Sequence, residues 1–96
     1  MDFGLFMMPL HPRHRSIADS YDRDLDLLVH ADRLGYHEAW IGEHMTESWE
    51  NAPVPELLVA KALAMTQNII LGTGVTLLSL HNPVEVAHRI AMLDHL

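Results

Sequence analysis

Cysteine is absent from the sequence. That removes disulfides, thiolate metal centres and cysteine nucleophiles together, and it fits a reducing compartment. Cations are few and dispersed. Arg13, Arg15, Arg23, Arg33, Lys61 and Arg89 stand against 13 acidic residues, for a net charge of -7 with histidine neutral. An acidic chain without a basic cluster repels phosphate backbones, which argues against nucleic acid as a partner. Long apolar runs are missing too. The longest, Ile69 to Leu80, is broken by Gly72, Thr73, Gly74, Thr76 and Ser79, well short of the ~18–20 apolar residues of a membrane span. The opening Met1-Asp2 lacks the basic start of a signal peptide. The expectation is a soluble cytoplasmic protein.

What is present is a globular composition, 49% hydrophobic and 20% charged in 96 residues, enough for one small domain or part of a larger one. Phe3 to Met8 is a short apolar run stopped by Pro9 and predicts a strand buried on both faces. Ser16 or Ser20 can cap a helix whose apolar stripe is Tyr21, Leu25, Leu28 and Ala31, and Gly35 ends it. Glu38 to Gly42 reads as a second strand, with Glu43-His44 at its C-terminal end and a ten-residue loop, Met45 to Val54, after it. Pro55 to Thr66 is rich in helix formers, with Asn68 placed to close it. Ile69 to Val75 is a third strand. Asn82-Pro83-Val84-Glu85 starts a helix whose buried face is Val86, Ala87, Ile90, Ala91 and Leu93, with no cap after Leu96.

The order βαβαβα, with strand starts roughly 30–35 residues apart, calls for a parallel sheet. A doubly wound nucleotide fold would place a glycine-rich turn after the first strand, but the turn is Pro9-Leu10-His11-Pro12. The α/β reading is therefore the first three units of a (β/α)8 TIM barrel. Three strands alone would leave two bare edges, so residues 1–96 are expected to form the incomplete N-terminal part of a barrel domain.

Several local patterns, in order, carry a family resemblance: Phe3-Gly4-Leu5-Phe6; Gly35-Tyr36-His37-Glu38-Ala39-Trp40-Ile41-Gly42-Glu43-His44; Leu71-Gly72-Thr73-Gly74-Val75; and His81-Asn82-Pro83 with the helix ending Met92-Leu93-Asp94-His95-Leu96. Together they cover the chain, which resembles the bacterial luciferase-like flavin-dependent monooxygenases, in particular those that oxidise small hydrophobic compounds such as terpenes or aldehydes. The resemblance implies reduced FMN at the C-terminal ends of the strands, O2 as oxidant, a flavin reductase as supplier and a homodimer. It also implies that flavin-phosphate contacts lie on later strands, so that this stretch alone is inactive. A deazaflavin-dependent oxidoreductase of the same fold is one alternative. A metal-dependent barrel hydrolase using His11, His14, His44 or His81 is another, although their spacing matches no standard zinc pair.

The resemblance implies site residues one by one. The histidine matching His44 lies near the flavin and supports proton transfer, as imidazole can near neutral pH; otherwise His44 only hydrogen-bonds a loop. Glu43 is read as structural, orienting His44 or pairing with a neighbour. The peptide matching Thr73-Gly74 passes against the flavin and can be cis, with Val75 on the same wall; otherwise Gly74 relieves packing. Met8 lines substrate or fills core. Trp49 is a lid or a loop anchor. His30, His37, His88 and His95 are expected to be exposed.

Overall fold

The apolar runs yield three strands of four residues each: β1 (Gly4–Met7), β2 (Glu38–Ile41) and β3 (Ile70–Thr73). Between them lie α1 (Ile17–Arg33) and α2 (Pro55–Leu63), and α3 (Pro83–Asp94) follows a single 3-10 turn at Leu78–Leu80. The computed structural model describes residues 1–96. Both pairings are parallel, in the order β1-β2-β3. The expected βαβαβα arrangement is therefore present.

Alternation along the strands divides the sheet into two unlike faces. Met7, Ala39 and Ile41 point to one face and are buried against Leu25, Leu28 and Ala31 of α1 and Leu58, Val59 and Ala62 of α2. Phe6 and Trp40 are register partners on the other face. There Phe6, Trp40 and Ile70 are 56%, 38% and 51% exposed. The first strand is thus covered on one face and not on both. Each crossover helix packs on the same side of the sheet, and nothing within the 96 residues lies across from β1.

The helix ends follow local chemistry. Ser16, not Ser20, caps α1: its Oγ accepts the Asp19 N–H at 3.1 Å. Gly35 takes φ +79° just past the helix, where a side chain would be strained. Asn82 Oδ1 accepts the Val84 N–H at 2.9 Å, and Pro83 opens α3 as expected. Helix α2 stops at Leu63, short of Thr66, and Asn68 does not close it. The Thr66 hydroxyl instead donates to the Ala62 carbonyl at 2.9 Å.

The Asp32 carboxylate then gathers the N–H groups of Gln67, Asn68 and Ile69 at 3.0, 2.9 and 2.8 Å. Those bonds, Asn68's foremost, hold its carboxyl below the usual aspartate range. One side chain of α1 thus fixes where β3 begins. Helix α3 differs most from expectation. None of its residues is buried; Ile90 is exposed, Val86 and Leu93 are half-buried, and the helix ends at Asp94 with His95 as cap. Its polar link to α2 is Arg89, 3.4 Å from the buried Glu56 carboxylate. An apolar stripe becomes a core only where a second surface meets it.

Candidate active-site rim

Parallel pairing brings the C-terminal ends of all three strands to one rim, as the ends of barrel strands are. His44 and Thr73-Gly74-Val75 therefore share an end of the sheet. The β2–β3 ladder extends beyond the strands, with the Gly74 N–H donating to the Ile41 carbonyl at 2.7 Å.

The adjacent Glu43 and His44 face different partners. Glu43 is buried, 3% exposed. Its Oε2 accepts the Leu77 N–H at 2.9 Å, and its Oε1 lies 2.5 Å from His81 Nε2. It therefore ties the end of β2 to the segment after β3 and orients His81, not His44. A buried carboxylate of this kind persists because it is bonded through both oxygens. His44 turns into the β2–α2 loop. Its backbone N–H donates to the Ala52 carbonyl at 3.0 Å, an isolated antiparallel bridge. Its Nδ1 lies 3.0 Å from Glu50 Oε2. The imidazole lines an open cleft with Leu10, Glu47, Trp49 and Glu50.

The loop is fastened to the start of the chain. The Trp49 carbonyl accepts the His11 N–H at 2.6 Å, and the Arg13 guanidinium sits 5.4 Å over the Trp49 ring. Trp49 is an anchored residue that is still 56% exposed. Tyr21 donates its hydroxyl to the Asn51 carbonyl at 2.6 Å. Burial first, and then the Asp24 charge, raises its phenol above the usual range. Beneath, the buried His11 holds Asp24 through Nε2 at 2.8 Å and meets Tyr21 edge-on at 4.9 Å. Burial raises the Asp24 carboxyl, with the His11 hydrogen bond opposing.

The histidines proposed as metal ligands do not converge. His11 binds Asp24, His44 binds Glu50, and His81 binds Glu43. No group of three or more His, Asp or Glu side chains stands close enough to hold a metal ion. The hydrolase alternative thus loses its ligand set: three of its four imidazoles face separate carboxylates, and His14 is exposed. His30, His37, His88 and His95 are exposed, as expected.

At the end of β3 every peptide, Thr73–Gly74 included, is trans and not cis. Thr73 pairs with Ile41 and points to the helix side, so only its backbone reaches the open face. Gly74 lies on the open face. A Cβ there would stand 2.5 Å from Phe6 Cε2 and 3.2 Å from Trp40 Cβ, and one on Gly72 only 2.6 Å from Trp40 Cζ3. These glycines give aromatic rings room against bare backbone. Val75, just past the strand, is half-buried. Met8 is half-buried over Gly42, where a Cβ would collide with its sulfur. Sequence reasoning passed over Glu50, Asp24, Tyr21 and Asp32. Glu50 and Asp32 sit in no motif, and each acts on a partner that spacing does not indicate.

A family model described as luciferase-like monooxygenase matches residues 1–96. Among similar characterised proteins, a 4-hydroxyprotoasukamycin monooxygenase from Streptomyces nodosus subsp. asukaensis is 45% identical over 96 residues, all of this chain and 26% of that protein. A limonene 1,2-monooxygenase from Rhodococcus erythropolis is 43% identical over 96 residues, again all of this chain and 25% of the other. A similar solved structure is the oxygenating constituent of 3,6-diketocamphane monooxygenase from Pseudomonas putida, a type II Baeyer-Villiger monooxygenase in complex with FMN. It gives a TM-score of 0.92 at 35% identity, covering 99% of this chain and 26% of that one. The chain thus spans about a quarter of the length of the relatives it matches.

Proposed function

Since the chain belongs to the luciferase-like monooxygenase family, we propose that its rim is part of the reduced-FMN site of a flavin-dependent monooxygenase that oxidises a small hydrophobic substrate with O2. One observation carries the reading. His44 and Thr73-Gly74-Val75 leave parallel neighbours at the same end, on a face where glycine backbone already accepts an aromatic ring. A flavin ring system asks for the same surface: flat, apolar and free of a Cβ at the point of contact.

When bound, reduced FMN would supply the electrons for oxygen activation. The residues of this chain would position it. The Thr73–Gly74 backbone and Val75 would form one wall, and Met8 would add an adaptable apolar surface for substrate. His44 would exchange a proton through Nε2, the ring nitrogen not engaged by Glu50. FMN is preferred to a deazaflavin because the similar diketocamphane enzyme holds FMN. That enzyme's description as an oxygenating constituent supports a separate reductase as the source of reduced flavin. A homodimer in the cytoplasm completes the reading, with residues 1–96 as the N-terminal part of a barrel domain.

Alone, these residues would not turn substrate over. Phe6, Trp40 and Ile70 stand open to water, whereas this chemistry needs a dry enclosure. The test pairs two proteins, the 96-residue chain and the same sequence extended to the length of its relatives. Each is titrated with FMN by fluorescence quenching and then supplied with a flavin reductase, NADH and a terpene. Binding and substrate-dependent O2 uptake are expected only in the longer protein. Absence of both from it would end the flavin reading, and turnover by the short chain would end the claim of inactivity.

A further inference from the structure

We infer that Glu43 is a positioning residue for His81: the buried carboxylate keeps the ring hydrogen on Nε2 and leaves Nδ1 as that ring's open, proton-accepting atom at the rim. Its significance for oxidation rests on the flavin reading above; the positioning itself does not.

Both residues follow strand ends. Glu43 stands two positions past β2, and His81 closes the connection from β3 to α3, so the two meet at the C-terminal end of the sheet. The backbone around His81 is set locally. The Leu80 N–H donates to the Leu77 carbonyl at 2.8 Å within the 3-10 turn, His81 follows that turn in extended conformation, and Asn82 caps α3 one residue later. The connection therefore keeps its own bonds when the carboxylate is removed. The two side chains are largely enclosed, Glu43 at 2% and His81 at 14% exposed.

Glu43 meets one donor on each oxygen. Oε2 accepts the Leu77 N–H at 2.9 Å, and Oε1 is hydrogen-bonded to His81 Nε2 at 2.5 Å. An ionised carboxylate only accepts, so a neutral imidazole bonded to it carries its hydrogen on Nε2. Nδ1 is left with a lone pair, makes no hydrogen bond within the chain and stays open to solvent. His11 shows the opposite outcome of the same pairing. Its Nε2 also bonds a carboxylate, Asp24 at 2.8 Å, but its Nδ1 is buried without a partner. Of these two imidazoles, only His81 keeps a nitrogen free to exchange a proton.

Glutamine in place of Glu43 has one acceptor where glutamate has two. If its carbonyl keeps the Leu77 N–H, its amide donates to His81, Nε2 must accept, and the ring hydrogen moves to Nδ1. An imidazole in water favours Nε2–H, so this change runs against the solution preference. A ring that was merely packed beside Glu43 would not make it.

The experiment is a two-bond 1H–15N correlation of the imidazoles in the uniformly 15N-labelled chain, at a pH where free imidazole is neutral. His81 is assigned by its loss in His81→Gln. The parent should show Nε2–H alone at His81, without the minor Nδ1–H population of free imidazole. Glu43→Gln should raise the Nδ1–H population, and Glu43→Ala should return the ring to the solution mixture. Glu85→Gln, which changes an exposed carboxylate of α3, should leave it as in the parent. A shift in either Glu43 variant supports the inference. An Nδ1–H ring or a solution mixture in the parent, or a tautomer unchanged in both Glu43 variants, would overturn it. The parent spectrum decides alone if neither variant folds. The readout needs no flavin. A tautomer that follows Glu43 in a chain whose extended form ignores FMN would leave the positioning intact and remove the flavin reading alone.

Discussion

Helices α1 and α3 start from equally good local signals and end in different situations. Each is opened by a side chain that accepts a first-turn N–H, Ser16 at 3.1 Å and Asn82 at 2.9 Å, and each carries an apolar stripe. Yet α1 buries Ser20, Leu25, Leu28 and Ala31, whereas α3 buries nothing. The difference is not propensity. Helix α1 contributes Leu25, Leu28 and Ala31 to the core beside α2, whereas α3 touches α2 and reaches that core only through the half-buried Leu93. Capping is decided by a few adjacent residues, burial by what arrives from elsewhere.

Paired substitutions would break this comparison if it is wrong. The largest effect is expected from Leu28→Ala. Leu28 is 0% exposed, so its truncation should cost ~2–5 kcal/mol, while Ile90→Ala in α3, 37% exposed, should cost about 1 kcal/mol or less. Urea unfolding of both variants measures the gap, and equal losses would mean that α3 is packed after all. The caps come next. Ser16→Ala and Asn82→Ala should each lose about 1 kcal/mol, similar in size because capping does not depend on the core.

The smallest effect concerns Asp32, whose exposed carboxylate is screened by water. Its carboxyl titrates below the usual aspartate range, so the stability it gives is present above the unfolded-state value and is lost as pH falls through the lower folded one. Asp32→Asn should therefore melt lower than the parent at neutral pH, and the difference should shrink to nothing in strong acid. Thermal melts across an acid series would show it; a gap that widened on acidification would reverse the sign.

Legibility from sequence follows the same division. Ser16, Gly35 and Asn82-Pro83 were readable because each acts within a turn of itself. The parallel βαβαβα order followed from element spacing, and the family from patterns along the strands. Three things were hidden. Glu43 bonds residues 34 and 38 positions away, and Asp32 bonds residues 35 to 37 away; no local pattern announces such pairs. His11, His14, His44 and His81 looked like a ligand set because Asp24 and Glu50 lay outside any motif, and Glu43, although within one, pairs with a residue 38 positions away. Thr73 was grouped with Gly74, but alternation sends its side chain to the helix layer, so only its peptide belongs to the rim.

Volume on the open face is shared between strands. Gly42, Gly72 and Gly74 give up side chains where Met8, Trp40 and Phe6 take the space. Evolution or an engineer therefore cannot treat these positions one at a time. A methyl added to β3 demands a smaller ring on β1 or β2, and the acceptable sequences are complementary combinations, so tolerance at each site is a property of its neighbour.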